Sequence, residues 1–315
     1  MISKSVVPAW SLKKITISEV ILSDRTFLFS YPERTPFLIE SIRDLGLIEP
    51  PVLYPGGGGY QIICGEGRIK ALKELGVKNF LALVIEEKKA PSELLILSLE
   101  SNLFRGLNLV EKALFLEKAE KYFSQEEIVH KILPKLGFTK HPNWYFYLKK
   151  IQRLSEPLKE LLIRGRLNPK TIETIADLEE KEQEGYFQVI TSFNLTHSEQ
   201  METLEALRDF QKRTQTPCLI PEDIKVLLHM EDPNLRKKTF KETLQSIRYP
   251  NFSSKKGHME TIKRDLQKRG IQIEFSPYLE NKRIFINFDL KDFDTLKKNL
   301  KIIEDYGRKI LSLFE

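Results

Sequence analysis

The sequence predicts an α+β chain: a mixed N-terminal region over 1–112, an all-helical middle over 113–248 and a small ββα piece over 249–315. Three observations predict it. Up to about residue 112, short apolar runs bounded by glycine or proline alternate with stretches of helical spacing. From there to 248, apolar residues recur almost throughout at three- and four-residue steps. The last region returns to two strand-like runs, IQIEFSP and KRIFINF, before a final helix.

In chain order, Ile15 and Ile17 alternate in KITIS, a strand period. PFLIESIRDL (36–45) has helical spacing and stops at Gly46. PPVLYP and YQIIC are short strands joined by the four glycines 56–59, which form a hairpin turn because a strand, not a helix, follows. Residues 67–75 are helical up to Gly76, FLALVIEE is a strand, and 91–104 is a leucine-rich helix. In the middle region, Ser124-Gln125-Glu126-Glu127 is a capping box ahead of Ile128, Ile132, Leu133 and Leu136. Gly137 ends that helix and Pro142 opens NWYFYLKKIQRL, with Trp144, Leu148, Ile151 and Leu154 at inward spacing. Ser155 is the next cap, Gly165 the next stop, and Asn168-Pro169 the start after it. YPNFSSKKG (249–257), polar and rich in turn formers, reads as a linker. The last helix, from about 291, spaces Phe293, Leu296, Leu300, Ile303, Ile310 and Phe314 as a stripe that fits its own hairpin or a second chain.

Composition narrows the function classes. The 315 residues are 41% hydrophobic and 30% charged, and no apolar run approaches the ~20 residues that span a bilayer, so no membrane partner is expected. The start lacks the apolar core of a secretory signal. Two cysteines, Cys64 and Cys218, argue against a disulfide framework and fit a reducing cytoplasm. A net charge of +6 permits nucleic acid as a partner. The five histidines show no ligand spacing, so no structural metal site is expected.

Two motifs carry chemistry. In YQIICGEGRIKALKELG (60–76) a strand runs through Cys64 into Gly65-Glu66-Gly67 and then a helix carrying Arg68 and Lys70. Glycine lets a ligand approach the backbone, and a helix start presents unpaired N–H groups and partial positive charge, so the turn is a candidate anion site. Spacing alone favours a tight turn with solvated cations, and Cys64 as a small core residue. The second motif is the pair of helices around Gly137, which follows the helix-turn-helix plan. Asn143 and Tyr145 would reach base edges, while Lys140, Lys149, Lys150 and Arg153 suit phosphates. A helical hairpin with a solvated basic face has the same pattern.

Taken together, SIRDLGLIEPPVLYP, YQIICGEGRIKALKELG and LESNLFRGLNLVEKA resemble the N-terminal domain of ParB-type partition proteins, over roughly residues 14–180. The family's turn typically reads GERRxRA where this chain has Gly65-Glu66-Gly67-Arg68-Ile69-Lys70-Ala71, and its later box ENLQR where this chain has Ser101-Asn102-Leu103-Phe104-Arg105. The resemblance implies a domain that binds CTP with magnesium, often hydrolyses it, and closes a dimeric clamp on double-stranded DNA. By position, Gly65, Glu66, Gly67, Arg68, Lys70 and Arg105 would face the nucleotide phosphates. Asn102 would help hold the metal or a phosphate, with Glu100 the nearest carboxylate, and Gly46, Leu47, Glu49 and Pro50 would border base and ribose. The resemblance also implies a homodimer joined through the C-terminal piece, a ParA-type ATPase partner, and a cytoplasmic, nucleoid-associated role in chromosome or plasmid partition. Four departures stand out: Gly67 and Lys70 in place of arginines, Glu49 in place of glutamine, and Ser101 in place of glutamate. They leave a helix-turn-helix transcriptional regulator with a non-hydrolysing ParB-like domain as the alternative.

Overall fold

Two consecutive glycines at a hairpin tip organise the first sheet. Gly57 and Gly58 take φ of +64° and +85°, the left-handed pair that a two-residue type I′ turn requires. The turn expected over four glycines therefore contracts to two, and Gly56 and Gly59 become the ends of β2 (Val52–Gly56) and β3 (Gly59–Cys64). With β1 (Trp10–Thr16) and β4 (Asn79–Ile85) they form a mixed sheet in the order β1-β4-β2-β3. β1 and β4 run antiparallel from Trp10↔Ile85 to Thr16↔Asn79, and β2 runs parallel to β4. The helices α1 (Thr35–Leu45) and α2 (Glu66–Glu74) bury Ile42, Ile69, Ala71 and Leu72 against Ile15, Leu53, Ile62, Phe80 and Val84 of the sheet.

This computed structural model describes residues 10–33, 35–276, 279 and 283–314. They divide into two compact units, Met1–Glu184 and Gly185–Glu315. The boundary expected at 112 falls inside the first unit for a physical reason. α3 (Pro91–Leu103) and α4 (Leu109–Ala119) meet at Glu111, which has 0% exposure. Its carboxylate accepts from the backbone of Tyr31 (3.2 Å) and Asn108 (3.1 Å) and pairs with Arg105 (2.8 Å).

Next come α5 (Gln125–Glu127), continuing as a π-helical turn over Ile128–Ile132, then α6 (Pro142–Gln152), α7 (Glu156–Ile163), α8 (Ile172–Ile175) and α9 (Glu180–Ser192). The capping box forms: Glu127 N–H donates to Ser124 Oγ at 3.2 Å, and Ser124 N–H to Glu127 Oε2 at 3.1 Å. Two expectations are corrected here. Trp144 is 37% exposed, because it stacks on Phe138 (centroids 4.7 Å apart) and donates from Nε1 to Thr139 Oγ1 (3.0 Å), bracing the turn rather than filling the core. Ser155 sits at the start of α7, but its hydroxyl makes no hydrogen bond. The Gln183 amide fastens that corner instead, accepting from Ser155 N–H (2.8 Å) and donating to Arg153 O (3.1 Å).

The second unit holds α10 (His197–Thr214), α11 (Glu222–Leu227), α12 (Pro233–Arg248), α13 (Pro250–Gln267), β5 (Ile271–Phe275), β6 (Ile284–Phe288) and α14 (Phe293–Leu311). The expected linker at 249–257 is a helix. Pro250 occupies the first turn of α13, where it costs nothing. Phe252, Met259, Ile262 and Leu266 then make one apolar face against the β5–β6 hairpin, and that face overrides the turn-forming composition. The stripe expected on α14 is corrected in part. Ile302, Ile303, Tyr306 and Ile310 of α14 join the core cluster around the hairpin, with Leu313 and Phe314 in the turn just beyond the helix, while Phe293 (67%) and Leu300 (53%) are exposed. Ile303, Ile310 and Phe314 of the expected stripe therefore lie in the core, joined by Ile302, and its N-terminal half does not. Among the described residues, no helix is long and apolar enough to cross a membrane.

Candidate functional site

β3 ends in the buried run Ile62-Ile63-Cys64, and the chain must reverse there to lay α2 back over the sheet. Gly65 makes the reversal, at φ +96° and ψ 26°. A Cβ at this position would lie 2.8 Å from Pro51 Cβ, so only glycine fits both the conformation and the space. No side chain caps α2, which leaves its first N–H groups and positive dipole end pointing outward. A cleft of about 310 Å³ opens at this point. Of the residues predicted for a nucleotide, Glu49, Gly65, Glu66, Gly67, Arg68, Lys70, Asn102 and Arg105 line it.

Four predicted residues do not line it. Gly46 stops α1 at φ +77°, Leu47 packs against the sheet core, and Pro50 offers only its carbonyl to Arg68. Glu100, predicted beside the metal, pairs with Lys135 instead. Two residues along a helix turn about 200°, so Glu100 and Asn102 of α3 cannot both face the cleft.

The cleft cations are already engaged. Arg68 donates from Nη1 to the backbone oxygen of Glu49 (2.7 Å) and from Nη2 to Cys64 Sγ (3.8 Å), tying the loop before β2 to the end of β3. Lys70 reaches Glu33 (2.7 Å) and Glu66 (2.9 Å), and Glu66 also holds Arg25 (2.6 Å). Burial pulls the Lys70 pKa down, but its bonds to Glu33 and Glu66 outweigh this and hold it above the ordinary value. At the rear, Arg105 donates to Asn102 Oδ1 (2.9 Å), and Asn102 Nδ2 to Ser98 O (2.7 Å). Burial pushes the Cys64 thiol up despite Arg68 and Arg105 nearby, so it stays protonated and acts as wall rather than nucleophile.

The helix pair is built as its capping signals imply. His141 caps α6, its Nδ1 accepting from Asn143 N–H at 3.2 Å. Lys140 and Asn143 are exposed. The other four predicted DNA contacts are tied to acids from flanking elements. Tyr145 and Lys149 both donate to Glu120, Lys149 at 2.9 Å. Lys150 and Arg153 share Oδ1 of Asp177, Arg153 at 3.0 Å. Burial, then the bond to Glu120 and its charge, push the Tyr145 hydroxyl up to about 12. Phe146, for which the motif gave no role, is 54% exposed on the same helix.

Residues 5–103 match the family model described as "ParB N-terminal domain". This part of the chain is a ParB N-terminal domain. Over 169 residues the chain is 29% identical to the probable chromosome-partitioning protein ParB of Vibrio cholerae, covering 52% of this chain and 55% of that protein. The chromosome-partitioning protein Spo0J of Thermus thermophilus is 34% identical over 97 residues, 30% of this chain and 35% of Spo0J. The nucleoid occlusion protein of Halalkalibacterium halodurans is 27% identical over 152 residues, 47% and 50% of the two chains. The chain spans about half the length of these first relatives. Among solved structures, a truncated Caulobacter crescentus ParB complexed with CTP-gamma-S aligns over 57% of this chain and 99% of its own, at 22% identity and a TM-score of 0.25. A Pnob8-like ParB-N domain aligns over 75% of this chain and 97% of its own, at 17% identity and a TM-score of 0.35.

The ParB N-terminal domain of this chain also brings Arg25, Ser30, Glu33 and Phe104 to the cleft, none of them predicted. Residues 24–33 have no regular period. Their signal is the apolar run Phe27-Leu28-Phe29, buried although irregular, which pins the segment. Phe29 packs edge-on against Phe115 (5.2 Å) and Ser98 Oγ donates to Phe27 O (2.8 Å). Among the described residues no group of three or more His, Cys, Asp or Glu gathers as a metal site. Magnesium still fits in one way. It keeps several waters and needs one or two carboxylates plus substrate phosphates, and Glu33, Glu49 and Glu66 each reach the cleft with one carboxylate.

Proposed function

We propose that this chain is a ParB-like DNA-binding protein that acts as a dimer in chromosome or plasmid partition and takes CTP with magnesium in its N-terminal cleft. One observation carries the reading: inside a ParB N-terminal domain, the uncapped start of α2 opens through Gly65 onto a cleft lined by Arg25, Arg68, Lys70 and Arg105. A triphosphate there would meet backbone N–H groups and the helix dipole. It would draw Arg25 and Lys70 away from Glu33 and Glu66, partly exposed pairs worth about 0–1 kcal/mol each. Asn102 and Arg105 would hold the phosphates from the rear, positioned by Glu111. Magnesium, when bound, would neutralise phosphate charge, with Glu66 or Glu33 as its protein oxygen. Hydrolysis to CDP and phosphate is not part of the proposal, because Gly67 and Ser101 stand where the family carries an arginine and a glutamate.

DNA would be met by α6, with Asn143 at base edges and Lys140, Lys149, Lys150 and Arg153 at phosphates. A second copy would cover Phe293, Leu300 and Leu311 of α14, which are 67%, 53% and 62% exposed. A ParA-type ATPase partner and a nucleoid location follow from the same reading. The balance of charge in the cleft favours one alternative, a transcriptional regulator whose domain binds no nucleotide, since Glu33, Glu49 and Glu66 already neutralise its cations. Ultraviolet crosslinking of labelled CTP discriminates. The expected label maps to the peptide around Gly65–Lys70 and is competed by CTP but not by ATP. Label that ATP removes equally well, or that lies elsewhere, contradicts the proposal.

A further inference from the structure

Two carboxylates from neighbouring elements face the candidate DNA helix. Four of its six predicted contacts end on two carboxylates, and neither carboxylate belongs to α6. Glu120, just past the end of α4, receives Tyr145 OH on Oε1 and Lys149 Nζ on Oε2. Asp177, just past α8, places one oxygen between Lys150 and Arg153. The Asp177 pairs are half open to solvent, with side-chain exposures of 29% for Lys150, 57% for Arg153 and 48% for Asp177. Pairs this open contribute little to stability, so folding alone gives a weak account of two acids placed against one basic face. They do change what DNA meets. A phosphate approaching α6 must take each cation from a carboxylate that then stands close to it and repels it. Nonspecific binding depends almost entirely on such phosphate contacts, whereas a target site adds contacts from base edges.

We infer that Glu120 and Asp177 set the DNA selectivity of α6, withholding its cations from phosphates until base contacts help to release them. The inference rests on the reading of α6 as the DNA-binding helix. It assigns the two acids as affinity-limiting residues: they weaken binding to random sequence more than to a target, where base contacts help to release the cations, and so widen the gap between the two.

Fluorescence anisotropy with a short duplex of random sequence, across a salt series, tests it. Asp177→Asn should bind roughly 3- to 10-fold more tightly at low salt, with a salt slope steeper by about 0.9 for each additional phosphate that the freed cations neutralise. Glu74→Gln removes the same charge from an exposed position on α2 and should shift affinity by less than about 2-fold, the general effect of net charge. Glu120→Gln should act like Asp177→Asn by freeing Lys149, and it decides the matter if Asp177→Asn folds poorly by circular dichroism. If both variants bind no more tightly than Glu74→Gln, while Lys150→Ala with Arg153→Ala binds more weakly than the parent, the inference is overturned and α6 remains the DNA helix. If that double variant binds like the parent at every salt concentration, the DNA reading of α6 fails and the inference fails with it.

Discussion

Arg105 and the buried Glu111 form the ion pair on which the rear wall of the cleft rests: Arg105 Nη2 lies 2.8 Å from Glu111 Oε1, and the glutamate side chain has 0% exposure. Glu111 also accepts the N–H groups of Tyr31 and Asn108, so one carboxylate joins the irregular segment 24–33, the end of α3 and the start of α4. Removing one member of a buried pair strands the other, at a cost of about 3–5 kcal/mol. Glu111→Ala should therefore destabilise the first unit by roughly that amount in urea unfolding, and Arg105→Ala should come close to it. A change under about 1 kcal/mol in both would remove this pair from the account.

Arg68 and Lys70 should behave differently although both line the cleft. Arg68 bonds the Glu49 carbonyl and holds the loop before β2, so Arg68→Ala should lose nucleotide affinity and also about 1 kcal/mol of stability. Among the described residues Lys70 pairs with Glu33 and Glu66, at a partly exposed site. Lys70→Ala should lose affinity with a melting temperature close to the parent's. Paired calorimetry and thermal melts separate the two, and an Arg68→Ala protein as stable as the parent would show that the loop needs no brace.

Gly65→Ala tests the turn itself. The left-handed φ of +96° and the 2.8 Å approach to Pro51 both oppose a methyl group. We expect a loss of about 1–3 kcal/mol together with weaker nucleotide binding, because any relief must shift the start of α2. A variant with the parent's stability and affinity would show that the turn tolerates a side chain.

The second unit should respond to acid through Glu199. Burial opposes its charge, but bonds from Lys241, the Thr196 N–H and Lys237 prevail and hold its pKa at about 2. The folded pKa lies below the unfolded one, so the stabilisation is full above about pH 4.5 and fades as pH falls toward 2. With solvent screening the effect is about 1–2 kcal/mol. Glu199→Gln should flatten this limb of a pH series of urea unfolding curves, and an unchanged limb would contradict the assignment.

Two positions on α14 separate assembly from folding. Leu300 is 53% exposed and Ile302 is 9% exposed. Leu300→Asp should give a folded monomer by analytical ultracentrifugation, whereas Ile302→Asp should unfold the hairpin and helix together. A parent that sediments as a monomer would remove the second copy from the proposal.

Where one local signal sufficed, the sequence was readable. The tight turn between β2 and β3, the reversal at Gly65, the capping box at Ser124 and the start of α6 at Pro142 each depend on a few neighbouring residues, and each sits close to its expected place. What was not readable depends on partners distant in sequence. Arg25 and Glu33 reach the cleft only because Phe27 and Phe29 are buried against later elements. Glu100 has helical spacing that looks favourable in a one-dimensional motif, yet the turn of α3 carries it to Lys135. YPNFSSKKG has the composition of a linker, and only the hairpin that packs on Phe252 and Met259 makes it a helix. The stripe on α14 was only partly legible for the same reason: Ile303 and Ile310 join the core around the hairpin, while Phe293 and Leu300 stay exposed.

The central claim is that the glycine-opened start of α2 cradles a nucleotide triphosphate. Isothermal titration of the purified chain with CTP and, separately, ATP, each with magnesium, tests it most directly. The account predicts saturable CTP binding near one site per chain, weaker ATP binding, and loss of the CTP signal in Lys70→Ala with the fold intact. No heat of binding with either nucleotide, with and without DNA fragments present, would contradict it and leave a DNA-binding protein whose ParB N-terminal domain serves as structure.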